Sequence, residues 1–199
     1  MSGRLAWISV TMTLWVALLT GLIYALNIGR ISPIEGARFI ESMALCADRA
    51  HPSTCTDTPL PYHSTREPED RNLTRTLVAR VTFDTIPEAV QALYFPKFAD
   101  SITVALNGET LFVLPADVRL WNTPLLISVP PALLRNGENT VALTLQGPAS
   151  EGLELWQFHI GPHALLAQAY STRLNLGLGI GRFSMGLMGV LAAALLLIW

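Results

Sequence analysis

Alternation of apolar and polar residues is the clearest pattern in the middle of the chain. Between Leu73 and Asp84 the apolar side chains recur at every second position, at Leu77, Ala79, Val81 and Phe83. Successive side chains of a strand point to opposite faces of a sheet. This period of two therefore predicts a strand that lays one face on a hydrophobic core.

Six more short strands are predicted downstream, each bounded by proline, glycine or asparagine. They cover Ala92–Pro96, Ile102–Leu106, Thr110–Leu114, Leu125–Val129, Asn139–Leu145 and Glu154–Ile160. No pattern of helical length separates them, which favours an antiparallel sandwich over alternating strands and helices. The predicted fold class is mainly β, with an antiparallel β-sandwich over residues 72–162.

The sequence Asn-Gly-Glu occurs twice within this region. Asn-Gly is the strongest short signal for a two-residue hairpin turn, because both central residues must take a positive φ. Asn107-Gly108 is therefore predicted to turn a hairpin, and Asn136-Gly137 to lead the chain into the next strand. Turn chemistry used twice explains the repetition.

Uncharged apolar stretches flank the predicted sandwich at both ends. Leu5–Ile28 is long enough to cross a hydrocarbon core of roughly 30 Å, and residues 1–29 are predicted to be an uncleaved transmembrane anchor. Residues 163–199 are predicted to be a helical lead-in and the first helix of a truncated membrane module, with Phe183–Trp199 as its apolar part. The fold class thus includes a transmembrane helix on each side of the sandwich.

Residues 30–71 are predicted to hold a short helix, Pro33–Leu45, followed by an irregular proline-rich linker. Cys46 and Cys55, the only two cysteines, lie in this segment. A disulfide is the favoured interpretation, with two free thiols and a zinc site that includes His51 as the alternatives. A disulfide requires an oxidising compartment, which would place residues of about 30–170 outside the cytoplasm.

Charge and motifs argue against several functional classes. The formal net charge of −2 provides no basic face for nucleic acid. The acidic residues lack the paired arrangement of a glycosidase, and His159 and His163 are separated by the helix-breaking Gly161-Pro162. No catalytic residue, cofactor or metal ligand is predicted, and the chain itself is not expected to be an enzyme.

One family is suggested by the order of three segments relative to the membrane. They are FPKFADSITVALNGE, WNTPLLISVPPALLRNGENTVALTL and LWQFHIGPHALLAQAY, the last leading into a glycine-rich apolar helix. From about Leu77 to Trp199 the chain resembles the extracytoplasmic sensor domain of bacterial seven-transmembrane receptors with diverse intracellular signalling modules. The resemblance implies a jelly roll related to galactose-binding folds, followed by seven membrane helices and a histidine kinase or diguanylate cyclase.

The departures from that family limit what the resemblance implies for this chain. The 199 residues contain no kinase histidine box, nucleotide-binding glycines or cyclase motif, and one of the seven expected helices. The predicted function is a membrane-anchored sensor region in the bacterial inner membrane, with a periplasmic sandwich. Two alternatives remain open: a bitopic docking subunit without signalling output, and a membrane-tethered carbohydrate-binding accessory domain.

Aromatic residues are the candidates for ligand contact, because an aromatic face can stack on the apolar face of a sugar. Trp121 is the speculative ligand-binding residue, with Asn122 beside it to fix hydroxyl groups. The alternative interpretation is packing in the sandwich core, and it applies to Trp121 and to four further aromatics: Phe95, Phe98, Trp156 and Phe158. Core packing is the favoured interpretation for Trp121, Trp156 and Phe158. The predicted partners are the lipid bilayer, further transmembrane helices of the same protein, a small-molecule or carbohydrate ligand and a second copy in a homodimer.

Overall fold

Two antiparallel sheets pack face to face in the computed structural model of the protein. The structure describes residues 31–46, 55–65, 72–98, 101–115 and 123–177, together with positions 12, 15, 18, 19 and 21. Those five N-terminal positions are helical and belong to one compact unit, Met1–Ser32, while Pro33–Trp199 forms a second. The β-sandwich lies in the second unit.

The described residues form twelve strands, a short 3-10 helix at Pro131–Leu133 and a C-terminal helix at residues 163–177. The strands are β1 Arg38–Ile40, β2 Ser42–Cys46, β3 Cys55–Pro59, β4 Tyr62–His63, β5 Asn72–Phe83, β6 Gln91–Phe95, β7 Ser101–Leu106, β8 Glu109–Val113, β9 Leu125–Val129, β10 Gly137–Pro148, β11 Glu154–Leu155 and β12 Phe158–Pro162. The mainly β, antiparallel character predicted from the alternating pattern is confirmed.

The strands are arranged in two large sheets and one small one. The four-stranded sheet has the order β1-β12-β6-β9, and the six-stranded sheet has the order β3-β2-β5-β10-β7-β8. The small sheet pairs β11 with β4. All of the described strand pairs are antiparallel.

The long pairing of β5 with β10 forms the middle of the six-stranded sheet. It runs without interruption from Phe83 opposite Gly137 to Asn72 opposite Pro148. Most inward side chains of these strands are buried, fully so at Leu77 and Leu143, whereas the outward positions are mostly polar. The predicted alternation is thus the alternation between core and solvent on this sheet.

The core between the sheets is closed by aromatic and aliphatic side chains. Phe95 of β6 and Phe158 of β12 stack with ring centroids 4.8 Å apart, and both are fully buried. Phe98 is also buried, so three of the four aromatics that carried two interpretations are core residues. Trp156 is not among the buried residues.

The helix predicted at Pro33–Leu45 is wrong, because this segment forms β1 and β2. Gly36 takes a positive φ of 83° in a tight turn in which the Ala37 N–H donates to the Ile34 carbonyl at 3.0 Å. Pairing of β1 with β12, and of β2 with both β3 and β5, then satisfies the backbone groups that a helix would have satisfied internally. Tertiary pairing overrode a short helix-like spacing.

The structure also differs from two predicted strand boundaries. The segment predicted as an irregular linker contributes β3 and β4, so strands of the sandwich begin well before residue 72. The single strand predicted at Glu154–Ile160 is two strands, since β11 pairs with the small sheet and β12 with the four-stranded sheet. The chain changes sheets at Trp156 and Gln157.

Cys46 and Cys55 form a disulfide in the structure, with their sulfur atoms 1.96 Å apart. The two residues are opposite each other where β2 pairs with β3. The disulfide therefore joins neighbouring strands of the six-stranded sheet.

The predicted membrane segments fall largely or wholly outside the described residues. Phe183–Trp199 is not described. Only five positions of Leu5–Ile28 are described, and two of them, Met12 and Trp15, have exposed side chains. In the part of the chain that is described, no helix combines the length and apolar character needed to cross a membrane.

The two Asn-Gly-Glu motifs are joined by a network of hydrogen bonds around Asn139. Asn139 is fully buried, and its Oδ1 accepts from the Arg135 N–H at 2.8 Å and from Asn107 Nδ2 at 2.9 Å. Its Nδ2 donates to the carbonyls of Arg135 and Gly137 at 2.7 and 3.1 Å. All four hydrogen-bonding positions of this amide are satisfied.

Asn107 completes the connection from the hairpin side. Its φ of 51°, followed by 92° at Gly108, confirms the predicted two-residue turn with two positive φ values. Its Oδ1 accepts from the Thr140 N–H at 2.9 Å, and its Nδ2 also donates to the Leu133 carbonyl at 2.8 Å. The two turns are therefore connected by the side chains of Asn107, in the first motif, and Asn139, which directly follows the second motif.

We predict that Asn139→Ala lowers the free energy of unfolding by about 3 kcal/mol, because it leaves several buried donors and acceptors without partners. Denaturant unfolding followed by far-ultraviolet circular dichroism measures the change. Asn72→Ala is the matched control, since Asn72 is exposed and its loss should change stability by less than about 0.5 kcal/mol. Equal stability of the two variants would contradict the structural role of the network.

Candidate functional site

Trp156 is the described aromatic residue that remains a candidate for ligand contact, because it is not buried in the core. The predicted ligand-binding residues Trp121 and Asn122 lie outside the described residues. Trp156 is half-buried, unlike the three core phenylalanines. The prediction of core packing is therefore confirmed for Phe158 and wrong for Trp156.

The backbone around Trp156 is fixed by the change of sheet. Leu155, immediately before it, is fully buried in β11 and forms a bridge with Phe98. Gln157, immediately after it, donates from Nε2 to the Leu60 carbonyl at 2.7 Å. Trp156 is therefore held between two anchored neighbours, and its indole is directed away from the core.

Three polar side chains meet the indole of Trp156, and the four residues are called the Trp156 cluster below. Lys97 Nζ lies 4.4 Å from the centroid of the indole ring, which is a cation–π contact. The ring of His63 approaches it in a T-shaped arrangement with centroids 6.1 Å apart. Trp156 Nε1 donates to Glu154 Oε2 at 3.5 Å, and Glu154 Oε1 lies 3.3 Å from His63 Nδ1.

Separate parts of the fold bring these side chains together. Lys97 follows β6, His63 ends β4, and Glu154 lies opposite His63 where β11 pairs with β4. Backbone and side-chain bonds between Ser64 and Leu153, at 2.9 and 2.7 Å, extend that pairing. No local sequence pattern predicts this arrangement, because the four residues become neighbours only through the small sheet and the end of β6.

The groups of the cluster differ in charge and polarity. It provides one ammonium group, one carboxylate, one imidazole and one aromatic surface, without a nucleophile next to a base. Among the described residues, no group of three or more His, Cys, Asp or Glu side chains is arranged to hold a metal ion. The four groups match the polar and apolar faces of a small organic ligand.

A second region of interest is the outer face of the four-stranded sheet, where the C-terminal helix packs. Ala92 and Tyr94 of β6 form a separate buried cluster with Leu166 of this helix, and Ile34 and Ala37 pack against it. The residues Pro33–Ala37 are called the N-terminal lead below. The contact between this lead, the sheet and the C-terminal helix is called the junction.

Two glycines allow the close approach at the junction. A Cβ added at Gly161 of β12 would lie 2.8 Å from Ala37 Cβ and 3.0 Å from Ala37 Cα. A Cβ added at Gly36 would lie 3.3 Å from Leu165 Cδ2 of the C-terminal helix. The N-terminal lead therefore touches both the last strand and the helix that continues from it.

His159 and His163 occupy different elements, as expected from the Gly161-Pro162 between them. His159 is fully buried in β12, where its ring lies 4.8 Å from that of Phe39 and 5.8 Å from that of Tyr94, measured between centroids. His163 is the first helical residue, and its N–H donates to the Val90 carbonyl at 2.9 Å. The buried imidazole is part of the junction packing.

Burial at the junction raises the pKa of the Tyr94 hydroxyl from 10.0 to about 12, and the nearby Arg173 guanidinium acts in the opposite direction. Burial dominates because removal from water disfavours the phenolate. The shift therefore affects only the alkaline range, above the ordinary pKa of 10.0.

Comparison with known proteins gives a distant likeness to parts of larger solved structures. No family model matches the chain, and no curated protein matches it. A β-glucuronidase from Ruminococcus gnavus in complex with D-glucaro 1,5-lactone has 10% sequence identity and a TM-score of 0.48, with 67% of this chain and 31% of that chain covered.

Two other β-glucuronidases give similar values. The structure from an uncultured Clostridium species has 12% identity and a TM-score of 0.44, covering 67% of this chain and 31% of its own. The one from Faecalibacterium prausnitzii has 16% identity and a TM-score of 0.42, covering 58% of this chain and 22% of its own. The matched part is about a third or less of each enzyme, and no activity is carried over to this chain.

We predict that Gly161→Ala loosens the junction, because the new methyl group has to displace Ala37. The expected loss is about 1–3 kcal/mol in the free energy of unfolding, with faster amide hydrogen exchange in the N-terminal lead and in residues 163–170. Gly177→Ala is the control, since a Cβ there meets no atom within 4 Å. Unchanged exchange at the junction in Gly161→Ala would contradict this close packing.

Alkaline titration tests the burial of Tyr94. The unfolded chain ionises this phenol near pH 10.0 and the folded chain near pH 12, so stability falls as the pH rises through this window. Tyr94→Phe has no phenol to ionise, and its unfolding free energy should fall less between pH 9.5 and pH 11.5 by about the contribution of that group. Parallel pH profiles for the two proteins would show that Tyr94 is accessible to water.

Proposed function

We propose that the chain is the extracytoplasmic sensor region of a bacterial receptor in the inner membrane, which transmits ligand binding to membrane helices. The junction is the observation that carries this proposal. There the segment that follows one predicted membrane span packs against the helix that precedes the other. Residues of about 30–170 would lie in the periplasm.

The position of the junction suits a domain that communicates with membrane helices. Ile28, the end of the first apolar stretch, comes shortly before Pro33, and the C-terminal helix comes shortly before Phe183. The N-terminal lead and this helix contact the same outer sheet face, so the segments that adjoin the two predicted spans in the sequence meet at the junction.

Transmission requires two states of the junction that bind the ligand with different affinity. Strand β12 continues directly into the C-terminal helix after Gly161-Pro162, so in this proposal a small shift of β12 would be passed to the helix. Packed interfaces of this kind change between discrete arrangements rather than deforming continuously. The N-terminal lead, held against the same strand, would move with it.

The remaining features of the proposal are the compartment, the finer fold and the partners. The disulfide between Cys46 and Cys55 fits an oxidising compartment such as the periplasm. The jelly-roll, galactose-binding-like topology is the finer fold that the family resemblance implies. Further membrane helices and a kinase or cyclase would belong to the same receptor, and a homodimer remains a prediction.

The proposal is tested by labelling single introduced cysteines in intact bacterial cells with a membrane-impermeant maleimide. Glu88→Cys places a thiol on an exposed loop of the sandwich, and Ser2→Cys places one ahead of the predicted anchor. We expect Glu88→Cys to be labelled in intact cells and Ser2→Cys only after lysis. The unmodified chain is the control, since its two cysteines are joined to each other.

Labelling of Glu88→Cys only after lysis would place the sandwich in the cytoplasm and overturn the proposal. Labelling of both variants in intact cells would remove the anchor and with it the route to membrane helices. The expected pattern establishes the side of the membrane on which the sandwich lies, on which any periplasmic sensing depends.

A further inference from the structure

The Trp156 cluster contains a cation that is positioned but not neutralised. Lys97 Nζ rests on the indole of Trp156, and no carboxylate lies within 4 Å of it among the described residues. Glu154, the nearest acid of the cluster, is engaged with His63 and with the indole N–H instead. A half-buried ammonium group of this kind can bind an anionic group of a ligand.

The cluster is rigid enough to act as a binding site. Lys97 follows the buried Pro96 and precedes the buried Phe98, which bridges to Leu155. Trp156 stands between Leu155 and Gln157, both fixed by the fold. The fixed backbone holds the two side chains close together before a ligand binds, so no backbone has to be ordered on binding.

The charges discriminate between classes of ligand. A cationic ligand would compete with Lys97 for the indole face and be repelled by it. A second negative charge on the ligand would be repelled by Glu154. A neutral ligand would leave the ammonium without a partner, so the cluster favours a ligand with one negative charge.

We propose that the Trp156 cluster binds a sugar acid with a single carboxylate. The carboxylate pairs with Lys97, the apolar C–H face of the sugar ring contacts the indole, and hydroxyl groups bond to Glu154 and His63. This deepens the sensing function proposed above and rests on it for its biological purpose. Binding itself requires only the cluster.

The test uses the whole chain of 199 residues purified in a mild detergent, titrated by ligand-observed nuclear magnetic resonance. The probes are D-galacturonate, neutral D-galactose and propionate, which separate the contributions of the charge and the sugar ring. We expect galacturonate to bind at least about 10-fold more tightly than either of the others, a difference of about 1.4 kcal/mol. Added salt should weaken galacturonate binding.

Variants locate the binding to the cluster. Lys97→Met keeps the length of the side chain but removes its charge, and should lower galacturonate affinity to that of galactose. Lys97→Arg should retain the preference, and Arg135→Gln, which removes an exposed cation outside the cluster, should have no effect. Circular dichroism checks that each variant is folded, and the comparison of probes on the unmodified chain does not depend on the variants.

Equal affinities for galacturonate and galactose would overturn the proposal, as would propionate binding as tightly as galacturonate or undiminished binding by folded Lys97→Met. Absence of binding by all three probes would also overturn it. Hydrogen exchange of residues 163–177 with galacturonate bound separates this inference from the sensing function. Binding without any change there would leave the site standing and remove its role in transmission.

Discussion

The structure depends on a four-stranded sheet that has to be covered on both faces. One face carries Leu93, Phe95, Phe158 and Ile160, which join the core against the six-stranded sheet. The other carries Ala92, Tyr94 and His159, which would be exposed if the C-terminal helix and the N-terminal lead did not cover them. Because burial of apolar surface is the main stabilising term, the N-terminal lead and the C-terminal helix pack onto this face.

This constraint explains why the buried face of the six-stranded sheet was predictable from the sequence, whereas the packing at the junction was not. On β5 and β10 one face is buried and the other is mostly polar, so a period of two appears in the sequence. On β6 all five residues are buried, and the alternation disappears. A strand buried on both sides cannot be assigned to faces without knowing what covers it.

The wrong helix prediction also results from contacts that are distant in the sequence. The segment Pro33–Leu45 has apolar residues at spacings that suit a short helix, but pairing with β12 and β5 stabilises strands instead. Local propensity amounts to tenths of a kcal/mol per residue and yields to such pairing. The Asn-Gly turn at Asn107 was predictable because its signal is local, whereas the bond from Asn107 to Asn139 joins residues 32 positions apart.

The candidate site was predictable only as a choice among aromatic residues. Composition and spacing do not show that Phe158 lies in the core and Trp156 outside it. The difference arises because the chain changes sheets between β11 and β12: Trp156 lies in that connection, whereas Phe158 is the first residue of β12. That same point connects the site to the rest of the proposal. From Trp156 the chain runs directly into β12, through the close contact of Gly161 with Ala37, and into the C-terminal helix. A ligand bound by the Trp156 cluster would therefore lie at the start of the strand whose far end is at the junction, and the segment that joins the two places is short and extended.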